Sequence, residues 1–178
     1  EMKIAANMPT MPDIYIIPEE APNAFAVGKK PENAAIAVTA GLLERLNRDE
    51  LQGVIAHEMS HILNRDVLFM TFAGVMLGSI IFISHVFLRS MWFGGGRSRR
   101  SSKGGGQLGI IMVVISIIMA ILAPVMARLL YFAISRKREY LADASAVRLT
   151  RYPEGLASAL EKISSNRTEM KTANKATA

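Results

Sequence analysis

The sequence predicts an α+β fold in which a small sheet and several helices form a core that a hydrophobic helical hairpin interrupts. Three observations support this prediction: β-rich runs in the N-terminal third, a helical period over residues 47–63, and two long runs without charged side chains. A small sheet followed by helices is typical of an α+β domain. The 178 residues, of which 51% are hydrophobic, suffice for one such domain.

Three short runs predict the strands of the sheet. Residues 13–17 form a β-rich run that Pro18 ends, and residues 24–28 and 34–39 form two more, joined by a polar turn. Residues 41–46 predict a short helix that leads into a longer one. This order places the sheet directly before the most informative helix of the chain.

That longer helix contains the pentapeptide His57-Glu58-Met59-Ser60-His61. Asn47 and Glu50 predict a capping box at its start, with Asn47 as the N-cap. His57 and His61 are spaced i and i+4, so both imidazoles project from one helical face and can bind the same metal ion. Glu58 can take a proton from a water molecule bound to that metal. The alternative is a charged helix face that carries histidines incidentally.

Composition limits the kinds of metal site and partner. The chain has no cysteine, which excludes thiolate zinc sites, disulfides and a cysteine nucleophile. The net charge of +6 is compatible with a nucleic-acid partner, but the basic residues cluster around hydrophobic segments, and one Trp and four Tyr offer few stacking side chains. We therefore expect no nucleic-acid partner. Contact with the anionic headgroups of a lipid bilayer explains the charge better.

Two apolar runs predict a transmembrane hairpin. Residues 67–88 and 104–127 contain no Asp, Glu, Lys or Arg, and each is long enough as a helix to cross the hydrocarbon core. A Gly/Arg-rich loop at residues 94–107 joins them. The alternative is two buried core helices of a soluble protein. The predicted parts of the chain are residues 1–66 with the sheet and the histidine motif, 67–134 with the two hydrophobic helices, and 135–178 with a further metal ligand.

A catalytic zinc site commonly has a third protein ligand beside two histidines and leaves one position for water. The remaining histidine, His85, lies far along the first apolar run and cannot reach the ion held by His57 and His61 if the helix continues. Without cysteine and without a reachable histidine, the third ligand must be a carboxylate.

Glu139 and Asp143 are the most suggestive carboxylates. They are spaced i and i+4 in a helix predicted over residues 136–149, and such like charges are mildly destabilising on an exposed helix face. A metal removes this conflict if Glu139 binds it and Asp143 accepts a hydrogen bond from the far nitrogen of a ligating histidine. The spacing is equally compatible with a solvated face on which Arg136 and Arg138 neutralise Glu139.

The motifs together resemble the membrane-embedded M48 zinc metallopeptidases, specifically the HtpX-type heat-shock proteases. The resemblance extends from Met11 to about Ser165 and is most specific in four segments, which are Asn23-Ala24-Phe25-Ala26-Val27-Gly28, Ala37 to Leu43, Asp49 to Asp66, and Ser135 to Asp143. The resemblance implies a zincin-like metallopeptidase core that consists of a small sheet and the active-site helices. It also implies one Zn²⁺ per chain, bound by His57, His61 and Glu139, with Glu58 as catalytic base and Asp143 beside a ligating histidine.

The resemblance further implies an endopeptidase that hydrolyses unfolded, misfolded or damaged membrane proteins in protein quality control under stress, alongside other envelope proteases. The implied location is the bacterial inner membrane, with several membrane passes and an active site that faces the cytoplasm. Glu139 can meet His57 only if the hairpin returns to the side from which it started. The basic loop then lies on the far side, against the positive-inside rule.

Two departures from the family concern the ends of the chain. The family carries two further hydrophobic segments before this region and continues beyond residue 178, so we expect this sequence to be the proteolytic core of a longer membrane protein. Two other functions stay open. One is a non-catalytic membrane hairpin with a structural metal site, and the other is a zinc hydrolase of non-peptide substrates, because the histidine motif specifies metal chemistry and not the bond that is cleaved.

Overall fold

The computed structural model describes residues 2–28, 30–94 and 106–165, without the side chains of residues 91–94, 106–110 and 112. The predicted loop over residues 94–107 lies outside the described residues except at its two ends, which are helical. The elements are α1 (Met2–Ala5), β1 (Asp13–Ile17), β2 (Ala24–Val27), a 3₁₀ turn (Pro31–Asn33), β3 (Ala35–Thr39), α2 (Ala40–Arg45), α3 (Arg48–Leu63), α4 (Asp66–Gly94), α5 (Gly106–Thr150) and α6 (Pro153–Ser165).

The sheet has the strand order β1-β3-β2. The central strand β3 pairs in parallel with β1 and antiparallel with β2, which explains why its apolar side chains are almost all buried. Thr39 ends β3 and its hydroxyl oxygen accepts hydrogen bonds from the backbone N–H groups of Asn23 at 2.8 Å and Leu42 at 3.3 Å. These bonds join the start of β2 to the first turn of α2. The three predicted strands are confirmed: β1 has the predicted ends, β2 ends one residue earlier, and β3 begins one residue later.

Helix α3 begins with the predicted capping box. Oδ1 of Asn47 accepts a hydrogen bond from the backbone N–H of Glu50, and Oε2 of Glu50 accepts one from the backbone N–H of Asn47, both at 2.9 Å. The same Glu50 carboxylate accepts hydrogen bonds from Ser158 Oγ at 2.5 Å and Lys162 Nζ at 2.8 Å, both on α6. These hydrogen bonds, with Lys162 first, lower the pKa of Glu50 to about 2. Glu50, which the local sequence predicts as a member of the capping box, therefore also attaches α6 to α3.

The close packing of α3 against α6 depends on Gly53. A Cβ atom at this position would lie 2.7 Å from the backbone nitrogen of Leu156, closer than such atoms can approach without displacement. Val54, Met59 and Ile62 of α3 pack with the buried side chains of β3 and α2 in the main hydrophobic core. A second buried cluster joins α3, α5 and α6 through Ala56, Ala146 and Leu156. The histidine motif of α3 is thus fixed from several sides.

Helices α4 and α5 contain the two apolar runs. Residues Asp66–Ser90 and Val113–Thr150 are long and apolar enough to cross a membrane, with mean hydropathies of 2.2 and 2.5, and only 6% of each apolar window is buried. Core helices of a soluble domain have mostly buried apolar side chains, whereas large side chains of these helices are exposed, for example Phe72, Phe82 and Phe132.

The sequence predicted separate helices over residues 104–127 and 136–149, and this prediction is wrong. Helix α5 begins at Gly106 and continues without interruption through Pro124 to Thr150. The physical reason is that residues 128–135 contain neither Gly nor Pro and have no other signal that ends a helix. The chain forms two compact units, which are Glu1–Phe69 with Lys137–Ala178, and Met70–Arg136.

Candidate metal centre

The first compact unit brings together the three side chains that the sequence proposed as metal ligands. The Nε2 atoms of His57 and His61, both on α3, lie 3.1 Å apart. Oε2 of Glu139, on α5, lies 3.5 Å from Nε2 of His57 and 3.7 Å from Nε2 of His61. Among the described residues, these three offer ligand atoms that all lie within 4.8 Å of one another. His85 does not belong to this group.

Each imidazole has a carboxylate on its other side. Nδ1 of His57 lies 2.9 Å from Oδ1 of Asp143, and Nδ1 of His61 lies 2.7 Å from Oδ2 of Asp66. Because a carboxylate can only accept, it favours the tautomer with a proton on Nδ1 and a free electron pair on Nε2. The electron pairs of both histidines therefore point into the cluster.

This arrangement fits a divalent cation. Two Nε2 electron pairs and the carboxylate of Glu139 meet within 3.7 Å, and this concentration of electron-rich atoms is unfavourable unless a cation compensates it. Donor atoms bound to a tetrahedral zinc at about 2.0–2.1 Å lie about 3.3 Å from one another, which is within the range of the three distances. Burial and the neighbouring His61 lower the pKa of His57, which favours the neutral form that binds metal.

Glu58 lies next to His57 on α3 and has an unusual pKa. Burial raises this pKa from 4.5 to about 7, although the nearby His61 and a backbone hydrogen bond from Ala26 act in the opposite direction. A carboxyl group that exchanges its proton near neutral pH is well suited to general acid–base catalysis. Ala26 belongs to β2, so the edge strand of the sheet helps to hold this carboxylate.

A cavity of about 200 Å³ opens beside Glu58. Its walls come from α3, α6 and the segment that leads into β2, and apart from the reactive side chains they are mostly apolar. The lining residues are Pro22, Asn23, Ala24, Val54, His57, Glu58, Leu156, Leu160 and Ile163. The cavity thus combines a carboxyl group of raised pKa with space for an apolar group.

Sequence reasoning placed Glu58, Asp143 and the three candidate ligands in one site, and the structure brings all five together. It missed Asp66, to which it assigned no role in the site. The available signal was position, because Asp66 follows His61 by little more than one helical turn. The contact of Arg138 with Asp66 gave no signal, since the two residues are far apart in the sequence.

Comparisons with known proteins identify relatives along the whole chain. Residues 1–175 match the model of peptidase family M48. A protein named Protease HtpX homolog from Caldanaerobacter subterraneus subsp. tengcongensis is 53% identical over 178 residues, which make up 100% of this chain and 59% of the relative. The protein of the same name from Dictyoglomus turgidum is 55% identical over 177 residues, covering 99% of this chain and 56% of the relative.

A third relative with this name, from Streptococcus uberis, is 50% identical over 164 residues, covering 92% of this chain and 55% of the relative. The chain therefore spans less than two thirds of the length of the curated relatives that it matches. No solved structure matches the chain.

Proposed function

We propose, given that this chain belongs to peptidase family M48, that it carries the catalytic centre of a zinc-dependent membrane endopeptidase. The family expected from the sequence motifs is confirmed by the family match and by the relatives. The observation that carries the proposal is the convergence of His57, His61 and Glu139 next to Glu58, which together with His57 lines a mostly apolar cavity.

In this proposal His57, His61 and Glu139 hold the metal ion. Bound there, zinc supplies a Lewis acid that polarises the substrate carbonyl and makes water more acidic. Glu58 removes a proton from the attacking water and passes it to the leaving amine, and its pKa of about 7 suits both transfers. Asp143 and Asp66 keep the two imidazole rings in the tautomer that binds metal.

The edge strand β2 is the proposed binding site for an extended peptide. The central strand β3 pairs on both sides in the described sheet, so it has no free edge to which a peptide strand could be added. β2 pairs only with β3 in the described sheet, Ala24 lines the cavity, and Ala26 contacts Glu58. A peptide beside β2 would have its backbone next to the general base.

The cavity indicates which side chains the substrate presents. Val54, Leu156 and Leu160 line it, so an aliphatic or aromatic side chain beside the cleaved bond would leave water on binding there. Apolar side chains are the ones that unfolded and misfolded proteins expose. We therefore propose unfolded or misfolded polypeptides, including membrane proteins, as the substrates, and protein quality control as the process.

The proposed location is the bacterial inner membrane. Helices α4 and α5 are long and apolar enough to span it, and the active site is proposed to face the cytoplasm. The lipid bilayer is then a partner of this chain, and other envelope proteases are proposed to share its substrates.

A catalytic site differs from a structural metal site in its open coordination position. The described residues provide a group of three protein ligands, which leaves room for water and favours the enzyme over a non-catalytic hairpin protein. Two observations support a peptide bond, and not another hydrolysable bond, as the bond that is cleaved. The edge strand β2 can pair with an extended peptide, and the chain belongs to a family of peptidases.

The test uses the full-length protein in detergent, loaded with zinc and incubated with casein. We expect cleavage that a chelator stops and added zinc restores. The variant Glu58→Gln should bind about one zinc per chain and cleave no casein, whereas the control Glu44→Gln, at an exposed position on α2, should keep full activity. Proteolysis by the Glu58→Gln variant would exclude Glu58 as the general base. Zinc binding without any proteolysis by the unmodified protein would favour the structural alternative.

A further inference from the structure

Asp66 is a buried carboxylate that transfers no proton in the proposed reaction. It is the first residue of α4 and is only 5% exposed. Oδ2 of Asp66 accepts a hydrogen bond from Nδ1 of His61, and Oδ1 forms an ion pair with Nη2 of Arg138. A buried carboxylate stays ionised only when such partners replace its hydration. The two partners of Asp66 therefore explain how it can remain charged behind His61.

Arg138 reaches this carboxylate from α5, one residue before Glu139. Its Nη2 atom also donates a hydrogen bond to the backbone oxygen of Asn64 at 2.9 Å, and its Cζ atom lies 5.5 Å from the centre of the Phe69 ring. Asn64 is the C-cap of α3, where backbone carbonyl groups favour a cation. The guanidinium thus contacts the end of α3 and the beginning of α4 at the same time.

The backbone between α3 and α4 aims Asp66 back at the metal centre. Arg65 adopts the left-handed conformation with φ of 54°, and its N–H donates to the backbone oxygen of Ile62. A residue in this conformation ends α3 and turns the chain sharply. Asp66 follows directly and starts α4 beside the ring of His61.

We propose that Asp66 and Arg138 are positioning residues that assemble the metal centre from its two separate chain segments. Asp66 fixes the ring of His61, and Arg138, bound to the same carboxylate, fixes the part of α5 that carries Glu139. The chain leaves the first compact unit after Phe69 and returns at Lys137, so sequence proximity alone does not bring Glu139 to the histidines. The ion pair of Asp66 and Arg138 supplies this connection, close to the two positions where the chain leaves and re-enters the first unit. This inference rests on the proposed zinc site.

The test measures zinc affinity of the full-length protein by competition with a chelator. Asp66→Asn and Arg138→Gln are each expected to weaken zinc binding about 10–100-fold, the usual effect of losing a partner that orients a ligand. Both substitutions remove the same connection, so their effects should not add up. The zinc affinity of the double variant should therefore lie within about twofold of that of the single variant that binds zinc less tightly. Lys137→Gln is the matched control, since it removes a neighbouring exposed cation on α5, and its affinity should be unchanged.

Two further measurements separate positioning from a general loss of structure. Arg138→Lys keeps the charge but loses the planar guanidinium whose Nη2 atom contacts both Asp66 and Asn64, so its zinc affinity should lie between those of the unmodified protein and Arg138→Gln. The visible spectrum of the Co²⁺-loaded protein should change in Asp66→Asn and Arg138→Gln, while the helical circular dichroism signal stays the same.

The inference is overturned if both single variants bind zinc as tightly as the unmodified protein, or if their effects on affinity multiply in the double variant. It is also overturned if zinc affinity falls only together with the helical signal. Absence of zinc binding by the unmodified protein would instead refute the proposed function. The two failures are therefore distinguishable within one set of measurements.

Discussion

Replacing Glu58 with Gln is expected to stabilise the metal-free protein while it abolishes peptide hydrolysis. Burial raises the pKa of Glu58 from 4.5 to about 7, so the fold holds this carboxyl group in surroundings that disfavour its charge. At 1.36 kcal/mol for each pH unit, the shift corresponds to about 3 kcal/mol of unfolding free energy. The residue that we propose as the general base thus lowers stability, as is common at active sites.

The sign of the effect follows from the two pKa values. Between pH 4.5 and about 7 the folded protein keeps a proton on Glu58 that the unfolded chain has released. Stability therefore falls as the pH rises through this window, and the loss is complete above it. Glutamine cannot ionise, so the variant escapes the loss. The gain should be close to zero at pH 4.5 and should reach about 3 kcal/mol at pH 8.

Thermal unfolding of the full-length protein in detergent, after metal removal with a chelator, measures this difference. For a chain of this size, 1 kcal/mol changes Tm by about 2–4 °C, so we expect Glu58→Gln to raise Tm by about 6–12 °C at pH 8 and very little at pH 4.5. Glu44→Gln, at an exposed position, should change Tm at neither pH. A Tm difference that is the same at both pH values, or a lower Tm of Glu58→Gln at pH 8, would refute the reasoning.

Three other substitutions test separate parts of the structure. Glu139→Gln should weaken zinc binding by more than roughly 100-fold, beyond the effect of losing an orienting partner, and chelator competition would measure it; unchanged affinity would remove Glu139 from the ligand set. Gly53→Ala should lower the unfolding free energy by about 1–3 kcal/mol because its Cβ would lie 2.7 Å from the backbone of Leu156, whereas Gly78→Ala, with no atom within 4 Å, should not; equal Tm values for the two variants would contradict this packing. Glu50 has its pKa lowered to about 2, so the stability that it contributes is present above pH 4.5 and lost as the pH falls toward 2. Glu50→Gln should therefore be less stable at pH 7 and should lose less stability on acidification, which Tm values between pH 7 and 3 would show; parallel curves would contradict it.

The parts of the fold that the sequence predicted well depend on short-range interactions. The capping box of Asn47 and Glu50 involves residues three positions apart, and the common face of His57 and His61 follows from helical geometry alone. The strands have alternating or continuous apolar patterns that end at Pro18 or at polar turns. None of these features requires knowledge of which segments meet in space.

The continuity of α5 shows where such patterns fail. The change from an uncharged run to the basic segment Arg136-Lys137-Arg138 suggested a boundary, although nothing there ends a helix. Hydrophobicity reports the surroundings of a segment, and it does not report whether its backbone hydrogen bonds continue. One helix can therefore pass from an apolar environment into a polar one without interruption.

The surroundings of Glu139 show why the site could be predicted only in part. Its spacing to Asp143 was equally compatible with metal binding and with a solvated face on which Arg136 and Arg138 neutralise it. In the structure Arg138 instead pairs with Asp66, and Glu139 faces the two histidines. Asp66, at the start of α4, thus attracts one of the two cations that could otherwise neutralise Glu139. A pairing between residues so distant in sequence leaves no local pattern. Asp66 contacts both Arg138 and His61, so the proposed ligand set and its support form one network of charges.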